Sequence, residues 1–534
     1  MKNSRNKYKS LAVLSRLSAA LLVLTFFSQC NKKDLSLVNP NALTTTSFWK
    51  TEADAVSGVN AAYASLLVDG GYMRMTPCIL DIRGDDVRSN SPWTAFSNCG
   101  RFALGTADGA GYGWAFASYY AGIFTANQVL DNVPAIDMPS DEKNRVLGQA
   151  YFLRGLYYFH LVNMFGKVAL PVHAGVIYTP QSTVDQGWKQ VIADFSQAAS
   201  LLPLSYANVT GLDANQAGRA TKGAALGYLG KTYLFNHRFD SAAAIFKQVI
   251  DLGVYSLVPN YIDNFTETNE NNAESLFEVQ FSRDAGGTAL GWGGTPDPTW
   301  GKTSARAIGY AARAFGWTDV QPTFSVFNEF HQEKNVAGKV DPRLLVTIFY
   351  NDTVDTHAAS TPMYQTTWQK QYTGDPNNFN DIFTKKYENY FGDRPDEYDW
   401  RSGINERLLR YADILLMYAE CENELGFPAE AAKYIQMVRS RPSVNLPDRQ
   451  AEFATYSQQQ LRDQLAHERL LEFCMEGHRF DDINRWGWLK DPAKLAELKV
   501  RDPEFVSYIP GKELFPIPQY EMDNNPGFVQ NPTY

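Results

Sequence analysis

Cysteine is scarce and unpatterned: the 534 residues contain five, with no CxxC spacing and no histidines at zinc-ligand intervals, which excludes a cysteine-based zinc site. Positive charge is in deficit. The chain holds 49 Lys+Arg against 58 Asp+Glu, for a net charge of -9, so the basic patch that nucleic acid requires is missing and no nucleic-acid partner is expected. Long apolar runs are missing as well: Leu17 to Phe27 falls short of the roughly 20 residues that span a bilayer as a helix. There is no Gly-rich phosphate loop, nucleophile elbow or Rossmann fingerprint, so the sequence calls for no cofactor. His467-Glu468 begins like a zinc-protease helix, but Leu471 stands where the second histidine belongs, and the metal reading fails. The Asp/Asn cluster at 375–381 reads as a solvated turn ahead of a calcium loop. What the chain does have is ordinary globular composition, 44% hydrophobic and 20% charged, with 13% aromatics that suit either a binding surface or an aromatic helical core.

The first 29 residues carry an address. Lys2, Arg5, Lys7, Lys9 and Arg16 form a basic stretch without acids, followed by the apolar run, as in a signal peptide. The run ends at Phe27-Ser28-Gln29-Cys30, which resembles a bacterial lipoprotein signal in which the cysteine is acylated and becomes the new N-terminus, although Gln29 replaces the usual small residue. The alternative is an ordinary secretory signal with Cys30 incidental. Lipidation at Cys30 predicts a stable lipid anchor, and Asn31 in place of an inner-membrane-retaining Asp points to the outer membrane. Without residues 1–29 the balance becomes 44 against 58. Of the remaining cysteines, Cys421 and Cys474 read as buried thiols, while Cys78 and Cys99 are close enough in sequence to pair in an exported protein.

Residues 30–46 read as a polar tether and 47–534 as a single domain. Helical periodicity dominates from 47 to about 255 and again over 400–490. The clearest stretch, Arg219 to Leu252, places Leu229, Gly230, Tyr233, Phe239, Ala242, Phe246 and Val249 at tetratricopeptide spacings, where small residues let two helices approach and aromatics fill between them. Looser pairs run from Gln149 through Leu202 and from Leu408 to Arg439. From about 256 to 400 the periodicity gives way to short strands such as Leu276 to Phe281 and to loops rich in Gly, Pro, Asn and Trp, the kind of segment on which binding residues sit. The predicted fold is therefore mainly α: a tetratricopeptide-like helical bundle with long loop-rich insertions and a few short strands.

Three stretches carry a family resemblance: Ala150 to Pro171, an arginine-bearing aromatic helix running into a Phe-Gly turn; Arg410 to Glu420, RYADILLMYAE; and Glu468 to Gly487, ERLLEFCMEGHRFDDINRWG. Leu514-Phe515-Pro516-Ile517-Pro518, Gln530-Asn531-Pro532, Trp49 to Tyr63 and Asn127 to Leu130 agree with them. Together they resemble the SusD/RagB family over essentially the whole mature chain. The resemblance implies a non-catalytic, lipid-anchored cell-surface protein that binds glycans, in some members peptides, and delivers them to a SusC-like TonB-dependent outer-membrane β-barrel. A helical glycoside hydrolase or lyase, and a repeat scaffold holding other proteins, are the readings from other classes.

The chemistry of the shared motifs reads as structural. Glu468, Glu472 and Glu476 fall at i, i+4 and i+8 on one helix face, where they would repel unless paired, and Arg410, Arg469, Arg479 and Arg485 are the expected partners. A catalytic pair would need carboxyls on separate elements across a cleft. Ligand residues vary within the family, so they are chosen here by chemistry: aromatic planes for sugar C–H faces, with carboxylates, amides and guanidinia for hydroxyls. Two regions offer both. Asp81 to Trp93 supplies Asp81, Arg83, Asn90 and Trp93; Arg283 to Trp317 supplies Trp292, Trp300 and Trp317.

Overall fold

The structure, a computed structural model, describes residues 48–176, 179–283, 303–351, 362–390 and 402–534. Residues Thr51–Tyr534 form one compact unit. Its scaffold is a succession of helices: α1 (Glu52–Ala64), α2 (Tyr112–Asn132), α3 (Ser140–Phe165), α4 (Val184–Leu201), α5 (Lys222–Phe235), α6 (Phe239–Asp251), α7 (Tyr411–Glu424), α8 (Pro428–Arg439) and α9 (Gln458–Phe473). Four of these starts are set by side chains that satisfy the first free amides. Thr51 with Asp54, Thr183 with Gln186 and Ser457 with Gln460 form reciprocal capping boxes, and Thr221 caps α5.

Each helix packs on the next from α1 to α8, and α9 packs on α7 and α8. The contact between α6 and α7 is direct although some 160 residues of sequence separate their ends, so the loop-rich region leaves and rejoins the array at one point. Its base is closed by β2 (Ser275–Val279) pairing antiparallel with β4 (Glu406–Arg410). A second short pair, β1 (Val87–Ser89) with β3 (Val320–Pro322), ties the early loop to the insertion. In the α5–α6 hairpin the predicted close approach is met: a Cβ on Gly230 would lie 2.6 Å from the Phe246 ring, and both residues are buried. Among the described residues no helix is long and apolar enough to cross a membrane.

The family motifs meet in space. Arg154 of α3 forks onto Asp194 of α4 at 2.6 and 2.9 Å and donates to Asn127 of α2 at 2.8 Å. The Phe165-Gly166 turn, where Gly166 takes a positive φ of 72°, is held by Asn531, whose amide donates to the carbonyls of Phe165 and Phe515 at 2.8 and 2.7 Å. Cys78, Cys99, Cys421 and Cys474 are all free and buried, so the Cys78–Cys99 pairing left open by sequence is not formed.

All three glutamates are buried, but α9 ends at Phe473, so the expected helical stripe holds Glu468 and Glu472 while Glu476 lies in the turn beyond. Most of their partners differ from those expected. Glu468 accepts from Arg343 at 2.6 Å and Arg439 at 3.1 Å. Glu472 accepts from Arg441 at 2.9 Å, Arg410 at 3.1 Å and Arg343 at 3.2 Å. Glu476 binds Arg410 at 2.7 Å and Lys386 at 2.9 Å, and Glu274 bridges Arg410 and Arg441. Of the four arginines expected, Arg410 alone takes this role. Arg469 turns to Asp413 and Asp482, Arg479 to Asp85, and Arg485 to Glu420 and Asp482. Burial pushes the Glu472 carboxyl up, but Arg441, Arg410 and Arg343 together outweigh it and hold the group at about 2. Glu468 and Glu476 are lowered in the same way.

Candidate functional site

The two sequence-predicted regions come together. The β1–β3 register sets Ser89 against Val320, and beyond it the Asn90 amide donates to the Asp319 carbonyl at 2.8 Å. This brings the segment of Asn90, exposed, and Trp93, half-buried, to the turn that carries Trp317, a residue 39% exposed, which is large for tryptophan. The turn is built tightly. The amides of Trp317 and Asp319 donate to Ile308 and Gly309 carbonyls at 2.8 and 2.7 Å, and a Cβ on Gly316 would meet the Ile308 carbonyl oxygen at 2.4 Å. Between them Thr318 adopts a φ of 56°, a left-handed conformation that a β-branched residue rarely takes. Its hydroxyl donates to the Ala311 carbonyl at 2.9 Å. Strain of this kind is retained where the surroundings over-determine the backbone, as at ligand-holding turns.

Four neighbours of these residues, Arg74, Ser91 and Asp319, all buried, and the half-buried Trp114, were not singled out by sequence. Trp114 packs on Trp93 with ring centres 5.7 Å apart, and the Arg74 guanidinium lies 5.6 Å from the Trp93 ring. Arg74 is fixed from behind by Asp69 at 2.6 and 2.8 Å. The Trp93 amide donates to the Ser91 hydroxyl at 3.1 Å. Burial raises the Asp319 carboxyl above its ordinary value, with a Ser91 hydrogen bond and the Arg74 charge pulling it back. The sequence signals were faint: Trp114 follows the glycine-rich stretch Gly109 to Gly113, and Asp319 follows Trp317 by two positions. Trp93, Trp114 and Trp317 keep part of their surface exposed and Asn90 is exposed, whereas Arg74, Ser91 and Asp319 are buried. The surface itself therefore offers indole planes and a primary amide, groups that suit a ligand with apolar faces and hydroxyl edges.

Asp81 and Arg83 do not belong to it. Asp81 is buried, accepting from Arg306 at 2.9 Å, Tyr310 at 2.7 Å and the Gly477 amide at 2.7 Å. Arg83 is buried too, donating to the carbonyls of Lys512 and Glu513 at 2.6 and 3.0 Å and lying over the rings of Phe480 and Phe515. Asp85 likewise binds Arg479 and Arg501. The acidic half of the Asp81 to Trp93 segment knits the early chain to its C-terminal part; its distal half supplies the surface. Trp292 and Trp300 lie outside the described residues, as does Cys30. In the 375–381 cluster, Asp375 accepts from the Asn378 amide at 3.3 Å and caps the short helix Pro376–Phe379.

The comparisons with known proteins agree with this architecture. A family model described as SusD family matches residues 273–534, and one described as starch-binding, associating with outer membrane, matches residues 75–234. SusD-like protein P2 of Formosa agariphila is 27% identical over 534 aligned residues, covering 95% of this chain and 98% of its own. The crystal structure of a SusD superfamily protein from Bacteroides vulgatus superposes with a TM-score of 0.77 at 26% identity, covering 91% of this chain and 100% of its own. A laminarin-binding SusD-like protein superposes at 0.70 with 26% identity and the same coverage.

Proposed function

Because this chain belongs to the SusD/RagB family, we propose that it is a non-catalytic glycan-binding lipoprotein of the outer membrane. It captures oligosaccharide at the cell surface and delivers it to a SusC-like TonB-dependent transporter. The observation that supports the reading is the backbone hydrogen bond from Asn90 to Asp319, which brings the segment of Asn90 and Trp93 to the turn holding Trp317 from more than two hundred residues away in sequence. Lipid attachment at Cys30 accounts for retention at a membrane by a chain whose described helices do not span one. A binder tethered in this way cannot itself move a bulky oligomer through a bilayer, so a barrel partner supplies the passage.

The absence of catalysis is part of the proposal. Its support is that the carboxylates of Glu468, Glu472 and Glu476 are buried and ion-paired rather than opposed across a cleft. The test is a screen of the purified chain against polysaccharides and peptides, following binding and product release together, with laminarin as the first glycan because a similar protein binds it. Saturable glycan binding without new reducing ends is expected, as is recovery of a large β-barrel on mild detergent extraction. Sustained turnover abolished by changing one carboxylate would replace this reading with the hydrolase or lyase; binding restricted to peptides would replace the ligand class.

A further inference from the structure

A second surface feature uses none of those residues. A cleft of about 450 Å³ opens between Phe239 at the start of α6, the C-terminal end of α7, the first half of α9 and the segment from Trp486 to Lys494. Its volume falls within the roughly 300–1,000 Å³ of small-molecule sites. One wall is aromatic: the rings of Trp486 and Trp488 have centres 5.4 Å apart and planes inclined at 40°. Trp486 is fixed by donating its indole N–H to Glu420 at 2.9 Å, and Glu420 is itself buried against Arg485. The other wall is polar. Arg462 forks onto Glu424 through two 2.6 Å bonds, the Gln459 amide donates to Asp463 at 3.1 Å, and Lys494 reaches across, 4.7 Å from the Trp488 ring and 3.7 Å from Asp463.

The charges say what kind of ligand fits. Arg462, Arg485 and Lys494 each already have a carboxylate partner, and the lining adds a fourth carboxylate, Asp491, so no surplus of positive charge remains to draw in a phosphate. Indole planes flanked by alternating donors and acceptors match an uncharged ring with hydroxyl edges, whose C–H faces pack on tryptophan and whose hydroxyls bridge carboxylate and ammonium groups. Arg462, Asp463 and Lys494 keep 45%, 54% and 28% of their side chains exposed, so these groups are free to meet such a ligand at the rim. We propose that this cleft is a second saccharide site, taking a short stretch of neutral glycan. The inference rests on the reading that the ligand of this chain is a saccharide. Two sites on one chain would hold a long glycan more tightly than either alone, because the second engagement is intramolecular.

Fluorine NMR of the full mature chain labelled with fluorotryptophan tests this directly, each resonance being assigned by a single Trp→Phe substitution. The probes are laminaribiose, maltose, cellobiose and gentiobiose. At least one is expected to shift Trp486 or Trp488 saturably, and the double variant R462A/K494A is expected to weaken that response about tenfold or more, as loss of charge-assisted hydrogen bonds implies, while Trp93 and Trp317 respond as before. A response at Trp93 or Trp317 with none at Trp486 or Trp488 overturns the second site and leaves the first standing. Silence at every tryptophan with every probe overturns the second site and counts against the saccharide reading as well. A Trp486 response indifferent to R462A/K494A marks a non-specific contact and also overturns the proposal.

Discussion

Trp317 and Glu472 are opposite extremes of residue design in this molecule. Trp317 leaves much of its indole facing water on a strained turn, so its removal touches binding more than folding. Trp317→Ala is expected to leave stability within about 0.5 kcal/mol and to weaken glycan affinity by about 1–3 kcal/mol, the range seen when stacking planes are removed. Trp93→Ala should weaken binding in the same direction, with calorimetry and thermal melting separating the two effects; wild-type affinity in both variants would move the site elsewhere. Glu472 is the reverse. It answers three arginines inside the protein, and Glu472→Ala leaves them one buried counter-charge short, with only Glu468, Glu476, Glu274 and Asp341 to share, a change worth about 3–5 kcal/mol. The urea midpoint should fall accordingly, or the variant should fail to accumulate as folded protein. That the stripe needed cations was legible from its i, i+4 spacing. Which cations was not: Arg343, Arg439, Arg441 and Lys386 come from other segments of the chain, 29 to 129 residues from their glutamates, and no local pattern announces a partner on another element. Asp81 and Arg83 misled for the same reason, since a loop that looks polar in sequence can be polar for the sake of distant carbonyls and carboxylates.

Among the elements, the α5–α6 hairpin shows why the helices were readable. Its apolar spacing is local, and its small residues sit where the facing ring demands them. Gly230→Ala carries two opposed effects: alanine favours a helix interior by about 1 kcal/mol over glycine, but its methyl would enter the space of the buried Phe246 ring at 2.6 Å. Overpacking of this kind costs about 1–3 kcal/mol, so a net loss is expected, and the paired variant Gly230→Ala/Phe246→Leu should recover part of it in the same denaturation assay. The strands were less legible. Leu276 to Phe281 was read from its composition, and the observed strand is Ser275–Val279. The two-way pairing of β1 with β3 follows from tertiary closure and leaves no periodicity to read. The approach of the Asn90–Trp93 segment to the Trp317–Asp319 turn depends on that pairing, so each tryptophan could be named from sequence while the approach of the two segments, and the packing of Trp114 on Trp93, could not.

At the scale of the whole molecule, the interior holds two populations of carboxyl groups with opposite pH behaviour. Against burial, Arg479 and Arg501 hold Asp85 at about 2, and Glu472 is held at about 2 by its arginines. Below the unfolded values of roughly 3.9 for Asp and 4.3 for Glu, the unfolded chain binds protons that these folded groups refuse, and their contribution is lost as pH falls from about 4 toward 2. Burial first, then the charges of Asp81 and Asp85, pushes Asp86 up to about 7; burial likewise takes Glu406 to about 7 despite Arg306. These two keep their protons where the unfolded chain has released them, so they take stability away as pH rises from about 4 to 7. Melting temperature is therefore expected to peak on the acid side of neutrality, near pH 4–5, and a curve that climbs steadily to pH 7 would contradict the assignment of Asp86 and Glu406. The lattice also bears on how the molecule can be re-engineered. Because α6 meets α7 directly and β2 and β4 close the base of the intervening segment, the loop-rich part invites exchange as a cassette. Yet Arg343 reaches from that part to Glu468 and Glu472 of α9, and Lys386 to Glu476 just beyond its end, like the pins of a plug in its socket. A transplanted cassette that lacked both pins would leave the socket charged and open, so a successful change of ligand preference by grafting has to carry two cations along with the new binding surface.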